Sequence, residues 1–116
     1  MKVGFKERRA QSRMTVNAPA RVFFGPGLAT WADCTIKDLS PRGAKLVVDA
    51  VYDLPNRLVL LDYAQDAAFD ALRHWRRWDM AGVSFTARHD LTALDLPQLR
   101  HVREAWLALK PVVLGA

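Results

Sequence analysis

The 116-residue chain contains one cysteine, Cys34. A lone thiol forms no intrachain disulfide and supplies no cysteine-rich zinc site, so the chain suits a reducing compartment. No apolar run approaches the roughly 18 residues of a candidate membrane-spanning helix. No apolar stretch follows the basic N-terminus before Arg13, which argues against a secretory leader. The expected location is the cytoplasm. The three histidines, His74, His89 and His101, do not fall at ligand spacing, so no metal is expected. No Ser-His-Asp or Cys-His order suggests covalent catalysis, and neither an enzyme nor a cofactor is expected. Internal repeats and low-complexity tracts are also absent from the sequence.

Apolar residues make up 51% and charged residues 25% of the chain, enough for the core of one ordinary domain. The formal net charge is +5. Residues 1–13 carry Lys2, Lys6, Arg8, Arg9 and Arg13 against Glu7, a net of +4, which leaves +1 for everything that follows. A positive field gathered at one end favours an anionic partner: a nucleotide, a nucleic acid or an anionic membrane surface.

Residues 1–12 show no hydrophobic period and are expected to form a flexible basic arm. Met14, Val16, Ala18, Ala20, Val22 and Phe24 then share one face of an alternating segment, the signature of a half-buried strand. Pro19 demotes its middle to an edge or a bulge, and Gly25-Pro26-Gly27 marks a turn. A second strand places Cys34 and Ile36 inward, Cys34 as a small buried hydrophobe. Asp38 to Gly43 reads as a tight turn, followed by a strand to Asp49 and a break at Asp53-Leu54-Pro55-Asn56. In the strand from Arg57 to Tyr63, the Leu58-Val59-Leu60-Leu61 run does not alternate, which predicts cover on both faces.

Residues 64–70 read as a loop or wide hairpin. Ala71 to Trp78 fits a strand or a helix, and the Gly82 turn before Val83 to Phe85 favours a hairpin, with Trp75 as an anchor of the barrel or its edge. Leu99, Val102, Trp106 and Leu109 fall on one helix face. Asp95 and Gln98 resemble a capping box, Pro97 is tolerated in the first turn, and Pro111 is expected to stop the helix. Short strands with turn signals and one terminal helix predict a small closed or nearly closed antiparallel barrel, its helix capping an opening or covering a flank. The expected organisation is an arm over 1–12, a barrel over 13–94, and a helix with tail over 95–116.

Two elements carry chemistry: Arg8-Arg9-Ala10-Gln11-Ser12-Arg13 and Asp38-Leu39-Ser40-Pro41-Arg42-Gly43. A guanidinium donates paired hydrogen bonds to phosphate and stacks on purines. An ionised carboxylate only accepts, so Asp38 complements the N1–H and N2–H edge of guanine and repels bare phosphate. Ser40 adds a hydroxyl, and Gly43 permits close backbone approach. Together they suit a guanine nucleotide better than a simple anion.

The order Arg-x-x-x-Arg, about two dozen residues, then Asp-x-Ser-x-x-Gly resembles the signature of PilZ domains. Arg9 and Arg13 match the arginine pair; Asp38, Ser40 and Gly43 match the second motif. Trp75-Arg76-Arg77 and Gly82-Val83-Ser84-Phe85 are similar to the closing hairpin, and the likeness spans residues 7 to 86. It implies an all-β fold, a small six-stranded antiparallel barrel of the split-barrel type with a C-terminal α-helix. It also implies a bacterial receptor for cyclic di-GMP, taken as an intercalated pair, with Arg8 assisting. The arm would order on binding and signal to a downstream protein partner, in processes such as motility or biofilm control. Arg73 departs from the family pattern, which often has an apolar residue there. Two further readings stand beside this one: a barrel binding single-stranded nucleic acid, with basic residues interleaved between Trp75 and Trp78, and a ligand-free module that docks another protein.

Overall fold

The computed structural model describes residues 14–93 and 96–115. The expected arm, with Arg8 and Arg9, lies outside the described residues, as do Arg13 and Asp95. The described chain forms β1 (Met14–Phe24), β2 (Thr30–Leu39), β3 (Gly43–Val48), β4 (Arg57–Asp62), β5 (Ala67–Arg77), β6 (Met80–Asp90) and α1 (Arg100–Val113).

The strands pair antiparallel in the order β1-β2-β3-β6-β5-β4, and β4 returns to β1. Alternation sends Val22, Ile36, Leu46, Val48, Leu58, Leu60 and Phe69 into one central core. The expectation of a split-type six-stranded barrel is corrected here. β1 meets β4 over four residue pairs only, from Ala20↔Asp62 to Phe23↔Val59, while residues 14–19 of β1 pair with β2 alone. The sheet therefore closes on itself across a short seam and is not a barrel along the length of its strands. Two causes are visible: β4 has six residues against eleven in β1, and Pro19 has no N–H to offer a second neighbour.

A second apolar layer lies outside the sheet. Phe23, Val59, Leu61, Tyr63 and Ala68 are covered by Leu99, Val102, Trp106 and Leu109 from the α1 segment. This explains the unbroken run in β4: Leu58 and Leu60 face the centre, Val59 and Leu61 face the helix. The helix thus covers a flank and not an opening. Its polar latch is Asp66, at φ +54 in the β4–β5 turn. Trp106 Nε1 donates to Asp66 Oδ1 at 2.8 Å, and Lys110 Nζ donates to the same oxygen.

One local expectation is narrowed and three change. β5 begins at Ala67, so the segment over 64–70, expected as a loop or a wide hairpin, is a hairpin with a tight turn. The β5–β6 hairpin reverses at Trp78-Asp79, with Trp78 at φ +55, and Gly82 lies inside β6. α1 starts behind a 3-10 turn over Pro97–Leu99 and has no side-chain cap at Leu99. It also continues past Pro111 to Val113; so near the end, the missing N–H costs one bond in a turn that frays in any case. Among the described residues no helix is long and apolar enough to cross a membrane.

Candidate functional site

The site begins with two irregularities in strand pairing. In β2, Ile36 and Leu39 both pack toward the core although they are three residues apart. The register Ile36↔Leu46 then Asp38↔Lys45 leaves Lys37 as an extra residue. This bulge turns Asp38 to the outer face, opposite Lys45; unbroken alternation would have sent the carboxylate into the core. In β5, the register Arg73↔Val83 then Trp75↔Gly82 leaves His74 as the extra residue. Trp75 is thereby set directly across from Gly82.

The registers join into one transverse row. Thr15 pairs with Asp38, Asp38 with Lys45, Lys45 with Gly82, and Gly82 with Trp75, across β1, β2, β3, β6 and β5. Lys45 Nζ lies 3.2 Å from Asp38 Oδ2, and Thr15 Oγ1 lies 3.5 Å from Asp38 Oδ1. The Trp75 indole covers Gly82 so closely that a Cβ there would fall 2.0 Å from Nε1. Trp75 remains 41% exposed. The residue expected to anchor the barrel or its edge thus packs over Gly82 on the outer face of the sheet, where it forms an outer wall.

The β2–β3 turn closes one end of this row. Ser40 N donates to Gly43 O at 2.9 Å, and the Ser40 hydroxyl accepts from Arg42 N and Gly43 N at 3.2 and 3.3 Å. Ser40 is thus an organiser of the turn. Phe85 N donates to Arg42 O at 2.7 Å and ties the turn to β6. At Gly43 a Cβ would lie 2.2 Å from the Val83 carbonyl oxygen. That obstacle is backbone, so only glycine lets β3 approach β6 here.

Together these residues enclose an outward groove of about 380 Å³, lined by Asp38, Ser40, Arg42, Gly43, Lys45, His74, Trp75 and Ser84 among others. His74 Nε2 and Ser84 Oγ share a hydrogen bond of 2.6 Å on its floor. A second hollow of about 890 Å³, lined by Met14, Leu39, Ser40, Phe69, Phe85 and Arg88, meets the groove at Leu39 and Ser40. The groove therefore combines an aromatic wall, two cations, one carboxylate and a hydroxyl-lined floor. Such a surface suits a flat, anionic ligand with a polar edge.

Of the residues singled out in the sequence, Asp38, Ser40 and Gly43 fall together on this groove. Arg8, Arg9 and Arg13 lie outside the described residues. Lys45, His74 and Ser84 were not anticipated. The signal that could have found Lys45 is the three-residue interval between the apolar Ile36 and Leu39, which demands a bulge between them.

Two arginines of β5 hold structure. Arg73 donates to Asn56 Oδ1 at 3.1 Å. Arg76 donates to the carbonyls of Val48, Asp49 and Tyr52 at 2.8–3.0 Å, pinning the β3–β4 loop. Cys34 packs against the core, and burial pushes its thiol up to about 12, with the Asp33 and Asp62 carboxylates adding to the effect. Such a thiol is inert at neutral pH.

A family model described as the PilZ domain matches residues 7–95. No curated protein matches the chain. Among solved structures, the chain is similar to the crystal structure of an uncharacterized Legionella protein, Lpg0364. The two are 13% identical, with a TM-score of 0.45 over 86% of this chain and 95% of the other.

Proposed function

This chain belongs to the PilZ domain family, a family of non-catalytic receptor modules, and from that premise we propose that it is a cyclic di-GMP receptor that orders its N-terminal arm on binding. The observation that carries the reading is the pairing of β1 with β2. Met14 pairs with Leu39 and Thr15 with Asp38, so the chain leaves the arginine motif and enters the sheet beside the Asp38–Gly43 turn. Backbone pairing therefore holds Met14, the residue that follows Arg13 in the sequence, at the end of the sheet that carries the Asp38–Gly43 turn, which supports a meeting of the two halves of the motif.

The division of labour follows from charge and shape. Asp38 accepts from the guanine edge, which a phosphate cannot offer. Arg9 and Arg13, with Arg8 assisting, take phosphate oxygens and a purine face. Trp75 offers a base the exposed side of its indole, a contact worth about 1–3 kcal/mol per base. Ser40 and Gly43 act by shaping the turn. Fixing the arm costs about 1–2 kcal/mol per residue ordered. Several charge-assisted bonds of about 1.5–3 kcal/mol each offset that. The ordered arm then presents a new surface to a downstream protein, an order–disorder switch. The ligand enters as an intercalated pair, the second base occupying the adjoining hollow.

Calorimetry with cyclic di-GMP, cyclic di-AMP and a short single-stranded oligonucleotide tests this. Guanine-specific uptake near two ligands per chain is the expected result. Salt-sensitive oligonucleotide binding with no uptake of cyclic di-GMP would assign the groove to single-stranded nucleic acid.

A further inference from the structure

Lys45 and Asp38 form a cross-strand pair held by main-chain register, with Nζ 3.2 Å from Oδ2, and both line the groove. Read along that edge, the pair presents a carboxylate oxygen, a second carboxylate oxygen and an ammonium. In hydrogen-bonding terms this is acceptor, acceptor, donor. Cytosine presents the same order to guanine, through O2, N3 and N4–H. The complementary edge of guanine is N2–H, N1–H and O6.

We propose that Lys45 is a base-reading residue, and that it and Asp38 together imitate the pairing edge of cytosine. Asp38 Oδ1 and Oδ2 accept from guanine N2–H and N1–H while Lys45 Nζ donates to O6. The inference rests on the cyclic di-GMP reading of the groove and adds to it the third of the three edge contacts. It also explains exclusion. Adenine would set its N6–H donor against the ammonium and its N1 lone pair against a carboxylate oxygen, so like faces like at both places. The placement is specific: Lys45 stands in the transverse row between Asp38 and Gly82, and the Trp75 indole covers Gly82. A base laid against that wall brings its edge to the ion pair.

The competing role for a groove ammonium is a phosphate contact, and a sulfur-for-oxygen exchange separates the two. Affinities are measured for cyclic di-GMP and for its analogue with sulfur, a weaker acceptor, at both O6 positions. The proteins compared are the wild type, Lys45→Met and Lys45→Gln, each checked for folding by thermal unfolding. The wild type should prefer the oxo ligand about tenfold. Lys45→Met should bind both ligands alike, and Lys45→Gln, which keeps a neutral donor, should retain part of the preference. A tenfold preference that survives in Lys45→Met overturns the proposal. So does a loss equal for both ligands that disappears at high salt, since that is a phosphate contact. A wild type that binds cyclic di-GMP without oxo preference overturns the role of Lys45 alone. A wild type that binds no cyclic dinucleotide overturns the receptor reading and this inference with it.

Discussion

Gly82 and Trp75 are opposed across β5 and β6, and the indole occupies the space a side chain at 82 would need, 2.0 Å from a Cβ placed there. The glycine is therefore a seat for the aromatic wall. Gly82→Ala should displace the indole and cost about 2 kcal/mol. Trp75→Ala should cost less, because the ring is 41% exposed. The double variant should recover most of the Gly82→Ala loss, a coupling readable from urea denaturation midpoints. Strict additivity would mean that the ring does not rest on residue 82.

At Gly43 the obstacle is the Val83 carbonyl, 2.2 Å from a Cβ, and a backbone cannot rotate away as an indole can. Gly43→Ala should cost about 3 kcal/mol and deform the β3–β6 pairing. Amide exchange at Val83 and Ser84 should accelerate together. Unchanged protection there would contradict the close approach.

Arg9→Ala and Arg13→Ala should each weaken cyclic di-GMP binding by at least tenfold, about 1.4 kcal/mol, with thermal stability unchanged. Asp38→Ala should also reduce guanine binding while sparing whatever weak binding cyclic di-AMP shows, compressing the ratio of the two affinities. Titration calorimetry reads both effects; wild-type affinity in either arginine variant would remove the arm from the site.

The bond from Lys110, and then that from Trp106, holds the Asp66 carboxyl below its ordinary value of 3.8. A depressed value means the ionised form stabilises the folded state. That contribution is present above 3.8 and is lost as pH falls through the folded value. Asp66→Asn should lower stability at pH 7 by up to about 1 kcal/mol, the range for partly exposed pairs. It should also remove part of the acid-side loss, as followed by denaturation at pH 2 to 7.

Asp62 works in the opposite sense. It is 1% exposed, and burial raises its carboxyl above the ordinary value, against the lowering effect of the Ala64 N–H it accepts. A raised value favours the protonated form in the folded state, so its contribution is lost as pH rises through the folded value. Asp62→Asn keeps an acceptor for Ala64 without the charge. It should match or exceed wild-type stability at pH 7 and lose that advantage in acid. A clear loss at neutral pH would show that the ionised form is needed.

By itself the sequence determined the strand pattern, the two-sided burial of β4, the helix face that packs on the sheet and the turn holding Asp38, Ser40 and Gly43, together with the family likeness. These are legible because alternation, helical spacing and turn chemistry act between residues a few positions apart. The short seam between β1 and β4, the reversal at Trp78-Asp79, the exposure of Trp75 and the partnership of Lys45 with Asp38 were decided by tertiary structure. Each depends on the register between strands, and one extra residue, Lys37 in β2 or His74 in β5, reverses which way every later side chain points. Such an insertion leaves composition and period almost untouched. Its effect appears only when the neighbouring strand supplies the hydrogen bonds that accommodate it.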